Sequence, residues 1–259
     1  MGTTNSNDRS MTSTNILPSA LKLPIFEKLS GKRIILASSS PRRLQILQSI
    51  GINPEVIPSQ FKEDLDQNSF EDLDDVRLKG IRYAAATATE KAIEVYRRLV
   101  VEQPENAPDL VIGADTIVQT YSNKLGLPSK ILEKPENKSN HLSMLEDLVS
   151  FNDDNDHKIE VITGIVLIYP CLESPGYRIK EFAEVTRIWF GDLEMEDLIA
   201  YVENGEGFDR AGGFAAQGIG CQFIRRIDGD WNNVVGFPAY AFLKFSKNLL
   251  KDDSDFLAD

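Results

Sequence analysis

The run Ile34-Ile35-Leu36-Ala37-Ser38-Ser39-Ser40-Pro41-Arg42-Arg43 allows few local structures. Three consecutive aliphatic residues suit a strand buried on both faces. Ser40 suits a helix N-cap, Pro41 the first helical position and Gly51 the far end. Leu44, Leu47 and Ile50 fall on one helical face between them. The spacing therefore predicts a strand that turns, through serines, into a helix N-terminus. Such a terminus presents free backbone N–H groups and partial positive charge. With two arginines and three hydroxyls in the turn, it is suited to phosphate oxygens.

Net charge decides which anions are plausible. The 259 residues carry 28 Lys and Arg against 40 Asp and Glu, a net −12. A nucleic-acid surface needs a basic stripe, so nucleic acid is excluded as a partner. An acidic chain that binds an anion must concentrate its cations locally. No apolar run reaches the ~20 residues of a membrane span, so no membrane partner is expected. The polar start, Met1 to Asn15, lacks the apolar stretch of a secretory signal. Cys171 and Cys221 have neither metal-binding nor redox spacing, and reduced thiols point to a cytoplasmic protein.

Along the chain, residues 1–24 are rich in Ser, Thr and Asn and read as a disordered N-terminal tail. Residues 25–259 read as one domain. Strands are expected near 33–38, 55–58, 110–118, 159–168, 180–190 and 223–227. Helices are expected near 41–50, 77–101, 139–149, 193–203 (capped by Asp192) and 238–249. The acidic segment 62–76 reads as loop, 152–156 as a solvated break, and the glycine-rich stretch 204–220 as a shaped loop. Alternating strands and helices give an α/β fold. Asp115 follows Leu110-Val111-Ile112-Gly113-Ala114, where an apolar strand is expected to end, a frequent position for a catalytic carboxylate in open α/β sheets.

Five segments, in order, share a pattern: Ala37 to Arg43, Ile112 to Val118, Glu133-Lys134-Pro135, Asp209 to Gly218, and Asn233 to Pro238. Together they resemble the Maf family of nucleoside triphosphate pyrophosphatases, from about residue 33 to 248. The resemblance implies a mixed sheet flanked by helices, split into two lobes around a central cleft. It also implies metal-dependent cleavage of a nucleoside triphosphate to the monophosphate and pyrophosphate, and a homodimer. Asp115, Lys134 and Glu63 are then the catalytic residues, with Glu63 and Asp115 holding a divalent cation, Mg²⁺ or Mn²⁺. Glu55 and Asp64 compete for the place given to Glu63. Ser38, Arg42, Arg43, Lys91, Thr116 and Gln217 are the expected substrate-binding residues, with Arg82 the rival to Lys91.

Arg42, Thr116 and Gln217 match the family branch selective for dTTP and UTP. A branch selective for 7-methylguanosine triphosphate has an aromatic residue, Gln and Glu there. A Gln amide offers a donor and an acceptor for the O4 and N3–H edge of uracil or thymine. A non-catalytic nucleotide-binding regulator of cell division is the alternative from another class. The chain departs from the family pattern at Arg210, where Lys is usual, at Phe214-Ala215-Ala216, and at the acidic insertion that displaces His157.

Overall fold

A computed structural model describes residues 15–71, 75, 77–122, 130–150 and 157–258. The strands are β1 (Ile34–Leu36), β2 (Glu55–Val56), β3 (Leu110–Ser122), β4 (Lys130–Leu132), β5 (His157–Pro170), β6 (Tyr177–Phe190) and β7 (Ile224–Asp228). The helices are α1 (Pro24–Leu29), α2 (Pro41–Ser49), α3 (Leu78–Glu102), α4 (Lys138–Ser150), α5 (Met195–Asn204), α6 (Trp231–Val235) and α7 (Ala239–Asp252). The strands form one mixed seven-stranded sheet in the order β2-β1-β3-β5-β6-β7, with β4 paired to β3. This is the expected mixed α/β sheet flanked by helices.

The sheet is organised around β3. One edge pairs with β5, antiparallel, from Val111 to Ser122. The other edge is divided. Parallel β1 covers Leu110 to Ile112, and antiparallel β4 covers Val118 to Thr120. Residues 113–117 lie between the two partners on that edge. Asp115 is therefore in the middle of a long strand, not at its end as the apolar run predicted. It is the parallel partner that stops there: β1 ends at Leu36 and the chain turns into α2.

Helix α3 packs against one face at unusually short range. A Cβ on Gly113 would lie 2.5 Å from the Ala88 carbonyl oxygen, and one on Gly164 would lie 2.5 Å from the Ala84 carbonyl carbon. Ala84, Ala88 and Lys91 are spaced i, i+4, i+7 and share a helix face. The small residues thus draw the lysine down onto β3. Gly164→Ala should lower unfolding stability by about 1–3 kcal/mol or more, because its clash is with backbone that cannot yield. Urea unfolding checks this; an unchanged midpoint would contradict the close packing.

On the other face, one apolar cluster includes Phe26, Leu47, Ile112, Phe237 and Phe242. A second, including Val118, Leu145, Phe190, Tyr201 and Phe214, lies towards β7. Two further sequence expectations change. Residues 15–24 are part of the fold and not of a disordered tail. Asn15 is buried and its side-chain amide donates to the Leu29 and Lys32 carbonyls, while Ile16 bridges to Ile52 and residues 24–29 are helical. Residues 1–14 and the acidic break at 152–156 lie outside the described residues. The α5 cap is Glu194, in a reciprocal capping box with Asp197, and not Asp192.

The C-terminal turn is fixed by Asp253. It accepts from the Tyr169 hydroxyl at 2.8 Å, and Arg178 and Lys180 each lie 3.3 Å from it. Burial pushes its carboxyl up, but the Tyr169 and Asp255 hydrogen bonds and the two cations outweigh this and hold it below the usual 3.8. A depressed carboxyl stabilises the fold above its unfolded value and loses that contribution as pH falls through the folded one. Asp253→Asn should therefore cost about 1 kcal/mol at neutral pH. The difference from the parent should shrink as pH falls below 3.8. Denaturant titrations across that range check it; a difference independent of pH would contradict it.

Candidate active site

A cavity of about 560 Å³ opens at the divided edge of β3, and all nine predicted site residues line it. That volume falls in the range of small-molecule sites. Asp115 projects from β3 towards α3 and is buried. Lys91 reaches it from α3: the ammonium lies 2.7 Å from Asp115 Oδ1 and 2.9 Å from Glu63 Oε1. One buried cation thus joins two carboxylates from different parts of the chain.

Glu63 is brought there by α3 as well. One turn after Lys91, Glu94 accepts from the Ser59 hydroxyl and the Gln60 N–H at 2.9 Å each, which secures the segment leading to Glu63. Burial raises the Glu63 carboxyl, but Lys91, then Lys134 and Arg43, prevail and hold it below the usual carboxylate range. Glu63 is thus ionised at neutral pH. Neither Glu55 nor Asp64 is among the cavity-lining residues. Glu55 instead pairs with Arg33. Arg82, the rival to Lys91, does not line the cavity either.

The strand–turn–helix motif forms the opposite wall. Ser40 is the N-cap of α2 with extended backbone, but its side chain makes no cap bond. The first-turn N–H groups are left for an anion. Arg43 is committed to the protein itself. It donates to Ser38 Oγ at 2.9 Å, to Thr116 Oγ1 at 3.0 Å and to the Gly236 carbonyl at 3.0 Å. Burial lowers its pKa, against Asp115 and Glu63, which raise it. Arg43 therefore ties α2, β3 and the loop after α6 together. Thr116 also meets Thr163 Oγ1 at 3.0 Å. Arg42 faces the cavity and pairs at 3.7 Å with Asp209. Lys134 and Gln217 line the cavity with exposed side chains.

Several contributors had no role assigned from sequence. Glu133 accepts from the Tyr83 hydroxyl and the Gln67 amide at 3.0 Å each, joining α3 to the strand end that carries Lys134. Asn233 is fully buried and donates to the Val161 carbonyl and Thr186 Oγ1 at 3.0 Å, which positions Gly236 for Arg43. Glu206 accepts from the Ile219 and Gly220 N–H groups and the Tyr201 hydroxyl, fixing the loop around Gln217. A Glu directly before the predicted catalytic Lys134 was the one legible signal among these. Among the described residues there is no group of three or more His, Cys, Asp or Glu placed to hold a metal. No described helix is long and apolar enough to cross a membrane.

Comparison with known proteins agrees in extent with this geometry. Residues 33–249 match the family described as Maf-like protein. The dTTP/UTP pyrophosphatase of Schizosaccharomyces pombe is 39% identical over 238 residues, 91% of each chain. That of Caldicellulosiruptor bescii is 35% identical, over 81% of this chain and 90% of its own. The human probable bifunctional dTTP/UTP pyrophosphatase/methyltransferase protein is 40% identical over 85% of this chain, which spans 32% of the human one. The matched region contains the divided strand, the α2 turn and all nine predicted site residues, and the chain belongs to the Maf family.

Proposed function

We propose that the chain is a nucleoside triphosphate pyrophosphatase that hydrolyses dTTP and UTP to the monophosphate and pyrophosphate. The observation that carries this is the Asp115–Lys91–Glu63 bridge, with Asp115 and Lys91 buried, facing the α2 N-terminus across one cavity. A carboxylate pair opposite a concentrated set of anion-binding donors suits water attack on a phosphoryl group. The names of the relatives support the reaction and the bases.

Lys91, 2.7 Å from Asp115 Oδ1, keeps that carboxylate aimed into the cavity. Asp115 orients a water against the α-phosphorus and takes its proton as the oxygen–phosphorus bond forms. The electron pair of the broken α–β bridge leaves with pyrophosphate. Lys134, Arg42 and the α2 N–H groups neutralise the charge that builds there, and Arg43 and Ser38 hold that wall in shape. Thr116 and Gln217 bear on the base.

A divalent cation of the Mg²⁺ or Mn²⁺ type fits the donors present. Glu63 Oε1 and Asp115 Oδ1 converge on a single nitrogen, so they face one small volume. Hard carboxylate oxygens, completed by phosphate and water, are what such ions prefer. Glu63 and Asp115 would hold the cation, which supplies charge screening and a more acidic water when bound. The charge balance and free thiols support a cytoplasmic setting, and the family resemblance a homodimer.

The test is a panel of dTTP, UTP, GTP and 7-methylguanosine triphosphate, read by released pyrophosphate. The highest kcat/KM is expected for dTTP and UTP. A preference for 7-methylguanosine triphosphate would overturn the base assignment, and no turnover of any would favour a binding-only protein.

A further inference from the structure

Arg210 lines the cavity beside Arg42. The two guanidiniums share one carboxylate. Arg42 Nη1 lies 3.7 Å from Asp209 Oδ2, and Arg210 Nη1 is in ion-pair contact with Asp209 Oδ1. The arginine side chains are 19% and 20% exposed, whereas that of Asp209 is 70% exposed. Among the described residues, Arg210 Nε is buried with no hydrogen-bond acceptor, and the buried Nη1 has only its ion-pair contact with Asp209.

The one carboxylate shared by these two mostly buried like charges is exposed, and Glu206, also within electrostatic reach of Arg210, spends its oxygens on the Ile219 and Gly220 N–H groups and the Tyr201 hydroxyl. Burial and the neighbouring Arg210 and Arg43 lower the Arg42 pKa, and Asp209 only partly offsets them. Unpaired buried donors are costly, so an arrangement that leaves them open is completed by an acceptor from outside. Asp209 competes weakly for that place, since an exposed carboxylate pair contributes little. Phosphate oxygens suit paired guanidiniums better, because they offer several acceptors and more charge.

We propose that Arg210 is a further substrate-binding residue that, with Arg42, holds oxygens of the triphosphate, and that Asp209 is a placeholder anion displaced when substrate enters. This rests on the nucleoside triphosphate reading above and extends it to a residue that the sequence marked only as a departure from the family pattern. Asp209 keeps the arginines oriented in the empty cavity. It also makes anion entry an exchange of one partner for another, so the pair is never left bare.

The test is calorimetric titration of the full chain with inorganic tripolyphosphate, without divalent cation, and separately with uridine. Arg210→Gln should weaken tripolyphosphate binding about tenfold or more, the weight of one charge-assisted hydrogen bond. Arg210→Lys should lie between parent and Arg210→Gln, since it keeps charge but not the planar fork. Asp209→Asn should tighten tripolyphosphate binding by about threefold, by removing the competitor. Uridine affinity should be unchanged in all three. Tripolyphosphate binding within twofold of the parent in a folded Arg210→Gln protein would overturn the assignment, as would an equal loss for uridine. If Arg210→Gln does not fold, Asp209→Asn decides: unchanged or weaker binding there overturns the placeholder. Tripolyphosphate has no base and the titration reads no turnover, so failure here is separate from failure of the pyrophosphatase reading.

Discussion

Asp115→Asn is expected to lower kcat for UTP by about 100-fold or more while the fold survives, which is the usual weight of a general base. The substitution keeps the shape of a buried side chain on β3 and an oxygen that can still accept from Lys91. It removes the charge that takes up the proton and half of the carboxylate pair. Lys91 is not left as an uncompensated buried charge, because Glu63 remains 2.9 Å away. Melting temperature should therefore change little, which separates loss of chemistry from loss of structure. KM should move less than kcat, since the phosphate-binding wall across the cavity is untouched. Near-normal turnover by a folded Asp115→Asn protein would remove Asp115 from the reaction.

Gln217→Glu carries the second large effect. Gln217 lies on a loop whose backbone N–H groups are taken by Glu206 and the Tyr201 hydroxyl, so its place at the cavity is set independently of its own side chain. If its amide donates to O4 of uracil, a carboxylate there puts two acceptors face to face, at a cost of about 1–3 kcal/mol. The expected result is a fall in kcat/KM for dTTP and UTP of about 10- to 100-fold at neutral pH. Guanine-type substrates should lose less. The ratio of kcat/KM for UTP to that for 7-methylguanosine triphosphate is the quantity to follow. An unchanged ratio would mean that Gln217 does not contact the base.

Strong local signals were read correctly from the chain. The Ser-Pro turn into α2, the alanine-rich α3 and the apolar strands each state their structure in periodicity and capping residues. What the sequence left hidden is non-local. The five segments hold seven of the nine residues that the fold gathers in one cavity, and the family resemblance supplied Glu63 and Lys91, but neither could show that Lys91 bridges Glu63 and Asp115. That bridge depends on Gly113 and Gly164 admitting α3 to the sheet. The resemblance gave Arg43 only as a substrate-binding residue, and the fold adds that three of its donors are spent on Ser38, Thr116 and Gly236. Short elements escaped as well. Strand β4 has three residues and α6 five, too few for a period to register. The Ser- and Asn-rich composition hid the fold of residues 15–24, because the burial of Asn15 depends on carbonyls 14 and 17 residues away.

The central claim is that this cavity breaks the bond between the α- and β-phosphates of a pyrimidine nucleoside triphosphate. Phosphorus NMR of the products from UTP, the full chain and Mg²⁺ tests it most directly. Uridine monophosphate and pyrophosphate appearing in equal amounts, with no uridine diphosphate along the way, is the predicted result. Uridine diphosphate with orthophosphate, or UTP left intact by a folded protein, would contradict it.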